Sequence, residues 1–398
     1  MHDINAENLE LTYEACQSAV NERKLNFVIE RTTNRPEALK DATFIINAIE
    51  IPPRFKLLDL DYRIPQQFGC KQITGENGGP GGLFHSLRVI PPILDICEDV
   101  KKICPHAVII NFSNPMSRIC LAIKRRFPSL KFVGLCHEFY HFQTLVSKIL
   151  NTPLSKLEIT GAGLNHFGNI LKIVYKDTGK DAYPDLRSKG PKFLRNLIAY
   201  DGFKLIAKLL EIYGYCPYTT DSHYGEYLQW AWEFGDIPAV RRFWQQYEEF
   251  LALGNQKIRR LIKRGKGARL VKPDEESAIP IIEGIIQDSN YIEPSVNIPN
   301  DGIITNLPND CIIECPAKIN KNGIKGVKIG EYPKAIAALL QTQISVQDLV
   351  VEAIFKKSKD IALQALLADP VVETYWQAKN IFEELMNQEK DYMQIQLE

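Results

Sequence analysis

Residues 75–112 read GENGGPGGLFHSLRVIPPILDICEDVKKICPHAVIINF, a glycine-rich turn followed by an apolar helical pattern and a β-branched strand. Similar short apolar runs occur at 26–31 (NFVIER), 43–49 (TFIINAI) and 131–136 (KFVGLC), and each follows a segment with helical spacing. Strands that alternate with helices predict a parallel sheet with helices on both faces. We therefore expect the chain to begin with an α/β domain built on a doubly wound parallel sheet.

The pattern changes beyond about residue 155. Alternating apolar residues at 157–176 predict an antiparallel strand pair, and 295–319 returns to short strands separated by Asn-Asp-Gly and Pro turns. Residues 190–265 and 331–388 are mainly helical in pattern. We predict two domains, an α/β domain at 1–155 and an α+β domain at 156–398.

Composition limits the classes of function. Lys plus Arg and Asp plus Glu both number 48 in 398 residues, so the net charge is zero, which argues against a nucleic-acid binder. No run approaches the roughly 18 apolar residues of a membrane span. Nine cysteines without a CxxC pair favour reduced thiols in a cytoplasmic protein over a disulfide framework.

Polar residues follow the predicted strands, where parallel α/β folds bind ligands. Asn111 and Asn114 lie in NFSNPM and could bind sugar hydroxyls or a nicotinamide ribose, although Asn before Pro is also an ordinary turn. Cys136 in GLCHEF and His166 in GLNHFG could together hold a divalent metal. Each of these two residues, taken alone, is more often a structural core residue.

Two further segments carry candidate chemistry. The backbone of GENGGPGG could approach a ligand closely at a helix start, or the loop could be a flexible turn. TTDSHYGEYLQW (219–230) contains His223 and Tyr227 at helical spacing, and a tyrosine can act as a base when a nearby cation lowers its pKa. The alternative for this second segment is the capped start of an amphipathic helix.

These motifs, taken in order, resemble the NAD- and metal-dependent glycoside hydrolases of family 4. The resemblance runs through GENGGPGGLFHSLRVIPPILDI, NFSNPM, GLCHE, GLNH and HYGEY into VNIPNDGIITNLPNDCIIECPA and QALLADP. It implies a Rossmann-like doubly wound sheet followed by an α+β domain like that of lactate and malate dehydrogenases. It also implies a cytoplasmic homo-oligomer, a dimer or tetramer, that acts on a small-molecule glycoside.

The resemblance assigns roles to individual residues. It implies that Cys136 and His166 bind the metal, usually manganese, and that Asn114 and Asn165 contact substrate, with Asn111 near the cofactor. His137 stands at the position that varies among subgroups, and the Cys-His form resembles enzymes for unphosphorylated α-glycosides. Tyr227 is the expected base at the sugar C2, with His223 as an alternative.

The mechanism that the resemblance implies is an exception to glycosidase chemistry with two carboxylates. NAD⁺ oxidises the sugar C3 hydroxyl, the metal stabilises the enediolate formed when the C2 proton leaves, and the glycosidic bond breaks by elimination. Water then adds and the hydride returns, so the net reaction is hydrolysis.

The beginning of the chain raises two alternatives. Met1-His2-Asp3 resembles the end of a second strand in relatives, where Asp3 would meet the adenosine ribose, and no GxGxxG precedes it. We therefore expect a domain that lacks its first strand and glycine-rich loop, and a catalytically impaired homologue that binds NAD⁺ weakly is one alternative. A 2-hydroxy-acid dehydrogenase is another, but it has no need for Cys136 and His166.

Overall fold

A computed structural model describes residues 1–197, 201–270 and 277–398. The first half of the chain alternates helices and short strands in the order α1 (Ala6–Arg23), α2 (Arg35–Leu39), β1 (Phe44–Asn47), α3 (Arg54–Gln67), α4 (Gly79–Ile103), β2 (Val108–Asn111), α5 (Met116–Arg126), β3 (Lys131–Gly134) and α6 (Glu138–Leu150). The strands β1, β2 and β3 run parallel, with Phe44 opposite Val108 and Val108 opposite Lys131. This part is the expected parallel α/β unit.

The second half contributes the antiparallel part. Its elements are β4 (Leu157–Leu164), β5 (Phe167–Tyr175), α7 (Tyr183–Asn196), α8 (Lys204–Tyr213), α9 (Asp221–Tyr224), α10 (Ile237–Lys263), α11 (Ala278–Ile286), β6 (Tyr291–Pro299), β7 (Ile312–Asn320), β8 (Gly323–Gly326), α12 (Lys334–Lys356), α13 (Lys359–Ala368) and α14 (Tyr375–Glu389). The strands β4 and β5 form the expected antiparallel hairpin, and β6 and β7 form a second antiparallel pair.

All eight strands join one mixed sheet. The order is β1-β2-β3-β6-β7-β4-β5, and β8 pairs with β7. The parallel part meets the antiparallel part through one pair, Gly134 opposite Asn297, and β7 meets β4 through Gly163 opposite Glu314. The fold class is therefore confirmed, with the detail that the α/β and α+β parts share a continuous sheet.

The C-terminal helices pack back onto the first half of the chain. Apolar residues of α12, α13 and α14 lie in one buried cluster with those of α3, α4 and α5. Buried Arg88 of α4 links this layer electrostatically, because its guanidinium contacts Asp61 of α3 and Glu389 of α14. The domain boundary at 155/156 stays a prediction.

The predicted strand at 26–31 is wrong. These residues form neither helix nor strand, and Phe27 and Val28 are exposed. Among the described residues, β1 pairs only with β2, and His2 forms an isolated bridge with Thr32. An apolar run forms a strand only where a neighbouring strand offers hydrogen bonds, and here the run has no such neighbour.

Two further properties concern the whole described chain. None of its helices combines the length and the apolar character needed to cross a membrane. All nine cysteines carry free thiols; seven of them are buried, and Cys16 and Cys136 are partly buried. One of the buried thiols, Cys120, lies in α5 against Gly134 of β3.

Candidate metal centre and active site

Cys136 and His166 meet at the junction of the sheet. Cys136 follows β3 by two residues, and His166 lies in the two-residue turn that joins β4 to β5. The Sγ of Cys136 lies 3.5 Å from Nε2 of His166. The backbone of His166 is left-handed, with φ 59°, a conformation uncommon for a residue with a side chain and often found at functional sites.

The ring of His166 is held from its other side. The amide of Asn77 lies 3.1 Å from Nδ1, so the opposite nitrogen, Nε2, faces Cys136. Burial keeps the pKa of His166 well below its usual value, and burial raises the pKa of the Cys136 thiol well above its usual value. Both groups are therefore neutral in the metal-free protein, and a bound cation would favour the thiolate.

Two carboxylates and a second imidazole surround this pair. The ring of His223 stacks on His166 with centroids 4.0 Å apart. It lies between Glu138, whose Oε1 is 3.6 Å from Nε2 of His223, and Glu76, whose Oε2 is 4.0 Å from Nδ1. Sequence reasoning missed Glu76 and Glu138 as candidates, although both stand inside the quoted motifs GENGG and GLCHEF.

The donor set suits a divalent metal. The ligand atoms of Cys136, Glu138 and His166 lie within 4.8 Å of one another, and so do those of Glu76, His166 and His223. Oε2 of Glu138 and Nδ1 of His223 are buried without a hydrogen-bond partner in the described chain. Buried polar atoms normally have partners, so these two atoms point to a missing ligand such as a cation. Mixed sulfur, nitrogen and oxygen donors are typical of transition-metal sites.

The glycine-rich loop is held by an internal carboxylate. Glu226 accepts hydrogen bonds from the backbone N–H groups of Glu76 (2.9 Å), Asn77 (2.8 Å) and Gly78 (2.8 Å), and from the hydroxyl of Thr74. A Cβ at Gly78 would lie 2.7 Å from the backbone oxygen of Glu226, so glycine is required for this approach.

The loop therefore supports the centre through its side chains, because the backbone N–H groups that a ligand could have used bind Glu226. Burial raises the pKa of this carboxyl to about 7, and the hydrogen bonds from Thr74 and the loop oppose that rise. With the loop in this position, Asn77 contacts His166 and Glu76 reaches the centre.

Asn165, next to His166, is oriented by a second buried carboxylate. Its amide nitrogen lies 3.4 Å from Oε1 of Glu314. The same carboxylate accepts hydrogen bonds from the amide of Asn297 (3.0 Å) and the hydroxyl of Tyr218 (2.8 Å). Asn165 is thus fixed beside the candidate metal ligands, as a substrate contact requires, and its contact with substrate stays a prediction.

Tyr227 lies deeper than the imidazoles. Its ring packs against Phe167 at 4.7 Å between centroids, and the residue is buried. Burial raises the pKa of Tyr227 well above its usual value, whereas the nearby Arg118 guanidinium lowers it. Nε and Nη2 of buried Arg118 have no hydrogen-bond partner among the described residues. A guanidinium of the kind that lowers a tyrosine pKa is therefore close to Tyr227, but the effect of burial is larger and the pKa stays raised.

The other predicted site residues are more dispersed. His137 precedes α6, and its ring packs on that of His141 at 4.8 Å. Asn114 is half-buried just before α5, and Asp3 is half-buried with its Oδ1 accepting from the backbone of Asn5. Asn111 is fully buried at the end of β2. Their roles as ligand contacts stay predictions.

The contacts of Asn111 are internal to the protein. Its Oδ1 accepts from the amide of Asn47 at 2.7 Å, and its Nδ2 donates to the backbone oxygen of Ser113 at 3.0 Å. These residues connect the carboxyl ends of β1 and β2 and form the polar edge at which such folds bind ligands.

The fold and the site together define an α/β enzyme with a candidate metal centre at the carboxyl edge of its sheet. The model of the family 4 glycosyl hydrolases matches residues 1–152, and the model of their C-terminal domain matches residues 161–372. The chain belongs to glycoside hydrolase family 4 and is a glycosidase.

Individual relatives agree with this assignment. An alpha-glucosidase of Erwinia rhapontici is 41% identical over 93% of this chain and 86% of its own length. An alpha-galacturonidase of Thermoanaerobacterium saccharolyticum is 28% identical over 90% of this chain and 81% of its own. The crystal structure of a 6-phospho-alpha-glucosidase from gut microorganisms, in complex with NAD and Mn²⁺, superposes with a TM-score of 0.86, 23% identity, and coverage of 100% and 92% of the two chains. At 23% identity, the similarity to this structure supports the fold alone.

Proposed function

We propose that this glycosidase hydrolyses unphosphorylated α-glycosides and that it uses NAD⁺ and a divalent metal, Mn²⁺ by preference. The observation that carries the proposal is the Cys136–His166 pair, 3.5 Å apart, with unpartnered atoms of Glu138 and His223 beside it. The 41% identity to an alpha-glucosidase supports the α-glucoside class. A homo-oligomer in the cytoplasm is the expected setting.

The residues of the centre fit the metal, and each has a definable task. Cys136 and His166 would hold the ion, and Glu138 offers an oxygen donor on the same side. The amide nitrogen of Asn77, 3.1 Å from Nδ1 of His166, fixes the ring so that Nε2 faces Cys136 and is available to the metal. When bound, the metal supplies Lewis-acid polarisation of the sugar oxygens, and NAD⁺ supplies a reversible hydride acceptor.

Cofactor binding is assigned to the polar edge of the parallel strands. Asn111 and Ser113 follow β2, and this edge is where nucleotides bind in doubly wound folds. Asp3 offers a carboxylate of the kind that binds a ribose hydroxyl.

We assign the removal of the substrate's C2 proton to Tyr227. Arg118 opposes the effect of burial on the tyrosine pKa, and a phenolate beside a guanidinium is the form that can accept a proton. His223 is the alternative base, because its Nδ1 has no partner in the described residues and its ring stacks on that of His166.

The charge around the centre favours an unphosphorylated sugar. Glu76, Glu138 and Glu314 are all buried or nearly so near the Cys136–His166 pair. Burial raises the pKa of Glu138, and repulsion from neighbouring acids, Glu314 and Glu76 among them, adds to that rise. A phosphate dianion in the same space would add repulsion, whereas sugar hydroxyls can donate hydrogen bonds to these carboxylates.

The test is hydrolysis of p-nitrophenyl α-glucoside by the full chain with Mn²⁺ and NAD⁺, compared with the 6-phosphate of the same glycoside. We expect p-nitrophenol release that EDTA abolishes, a preference for the unphosphorylated substrate, no net NADH, and loss of activity in Cys136→Ser. Activity that persists in EDTA without NAD⁺ would refute the cofactor assignment. Net NADH formation from a 2-hydroxy acid would instead support the dehydrogenase alternative.

A further inference from the structure

A cavity of about 260 Å³ lies between helix α3, the glycine-rich loop and helix α10. Tyr62 and Asp59 line it from α3, and Trp244, Gln245 and Glu248 line it from α10. Glu76 of the loop lines the cavity as well. The roles given above to Cys136, His166, Glu138 and Tyr227 do not use this space.

Glu76 connects the cavity to the candidate metal centre. It lines the cavity, and its Oε2 also lies 4.0 Å from Nδ1 of His223, which stacks on His166. A sugar bound at the centre therefore has the cavity as its neighbour on the Glu76 side. A glycosidase acting on a disaccharide needs space for the second sugar in such a neighbouring position, since the bond to be broken lies between the two units.

The lining has the chemistry of a carbohydrate site. Tyr62 and Trp244 offer aromatic rings, on which the C–H faces of a sugar pack. Gln245 and Glu248 offer hydrogen-bonding groups for hydroxyls, and the buried Nε1 of Trp244 has no hydrogen-bond partner in the described chain. An apolar surface with a few polar groups is the usual composition of a small-molecule site.

The lining offers no excess of positive charge to an acidic group. Three carboxylates, of Asp59, Glu76 and Glu248, line the cavity together with the guanidinium of Arg241. Arg63 pairs with Asp59 at 3.2 Å and Arg54 pairs with Glu76 at 3.3 Å, so these charges are largely balanced. The Arg241 guanidinium already donates from Nε to the hydroxyl of Tyr62 at 2.9 Å. A neutral sugar therefore suits the lining better than a phosphorylated or carboxylated one.

We propose that this cavity is the subsite for the leaving group and that it takes a neutral hexose, the second sugar of an α-linked disaccharide. The proposal rests on the function proposed above, because it places the leaving group relative to a sugar held at the Cys136–His166 centre. It adds the residues that select the leaving group, of which Trp244 and Tyr62 offer aromatic rings for the sugar to pack on.

The experiment compares two kinds of α-glucosyl substrate that differ in the leaving group. α-Glucosyl fluoride releases a single atom and does not need the cavity, whereas maltose, isomaltose and trehalose release glucose. We expect Trp244→Ala to lower kcat/KM for the best of these disaccharides by about tenfold or more and to leave that for the fluoride nearly unchanged. Trp376→Ala is the matched control, because Trp376 is an exposed tryptophan of α14 outside the cavity.

Three results would overturn the proposal. These are equal losses for both substrates in Trp244→Ala, no loss for the disaccharide, and a wild-type enzyme that cleaves the fluoride but none of the disaccharides. A second measurement does not depend on turnover: glucose should change the tryptophan fluorescence of the wild type, and Trp244→Phe should remove that change. If the wild type cleaves no glycoside at all, the proposed function fails, and the cavity is then judged by the fluorescence result alone.

Discussion

The substitution Glu226→Gln tests how the centre is held in place. In the wild type, one carboxylate oxygen accepts from the backbone N–H of Glu76, and the other accepts from those of Asn77 and Gly78. Glutamine has the same shape, but one of its two terminal atoms is an NH₂ group, which can only donate. In either orientation of the amide, at least one loop N–H then faces another donor.

The expected loss of loop stability can be estimated from these hydrogen bonds. The less harmful orientation points the NH₂ group at Thr74, whose hydroxyl can accept, and leaves the N–H of Glu76 without an acceptor. An unsatisfied buried donor costs about 1–3 kcal/mol, and hydrogen bonds that lose a charged acceptor weaken by roughly 1 kcal/mol. We therefore expect the free energy of local opening of the loop to fall by about 2–4 kcal/mol.

Hydrogen exchange of the peptide that covers residues 74–78 measures this change directly. A loss of about 2–4 kcal/mol corresponds to exchange that is roughly 30-fold to 1,000-fold faster, since about 1.4 kcal/mol equals a factor of ten. Because Asn77 orients His166, we also expect Mn²⁺ affinity to fall by about 10-fold to 100-fold, as for other residues that orient a metal ligand.

The control is Glu233→Gln, which removes a carboxylate at an exposed position seven residues further along the chain. It should leave both the exchange and the metal affinity unchanged. Unchanged exchange at 74–78 in Glu226→Gln would refute the idea that this carboxylate holds the loop.

Two further predictions concern the buried cluster that ties α14 to α4. Arg88→Met should lower the free energy of unfolding by about 3–5 kcal/mol, because it leaves the buried acids Asp61 and Glu389 without the cation that pairs with them; denaturant unfolding measures this, and a loss below about 1 kcal/mol would contradict it. Burial raises the pKa of Glu389, so the folded state holds its proton more tightly than the unfolded state. The corresponding stability is fully present below the ordinary glutamate pKa of 4.5 and is lost as pH rises from there to the raised pKa of about 9. Glu389→Gln cannot ionise and should flatten the fall of stability over this interval, whereas an unaltered pH profile would exclude Glu389 as its source.

The proximity of Cys136 and His166 could be predicted from the sequence, because it depends only on which residues follow the strands of the sheet. Both residues follow strands, and polar residues at strand ends of one sheet come together at its edges. The antiparallel hairpin at 157–176 was likewise readable from its alternation. Local pattern and strand order were sufficient for these features.

Other features had no local signal. The two parts of the sheet join through the single pair Gly134 and Asn297, and one pair of residues leaves no periodicity to detect. Glu226 binds a loop about 150 residues earlier in the chain, so its role depends on tertiary contacts alone. The run at 26–31 has strand composition, but strand formation also requires a neighbouring strand, which composition does not report.

Hydrogen bonding separates the buried acids of this site into two groups. Glu226 and Glu314 have both oxygens engaged, by loop N–H groups in one case and by Asn165, Asn297 and Tyr218 in the other. Such fully satisfied carboxylates fix the positions of their neighbours and have little capacity left for a ligand.

Glu138 belongs to the second group, because its Oε2 is buried without a partner in the described chain while its Oε1 lies 3.6 Å from His223. An unsatisfied carboxylate is costly to bury unless a cation or a substrate hydroxyl completes it. Burial raises the pKa of Glu138 well above its usual value, which is the expected behaviour of a carboxyl group whose cation is missing. Among the acids of this site, Glu138 thus keeps an oxygen available for a cation or a substrate hydroxyl, whereas the hydrogen bonds of Glu226 and Glu314 are completed by the protein itself.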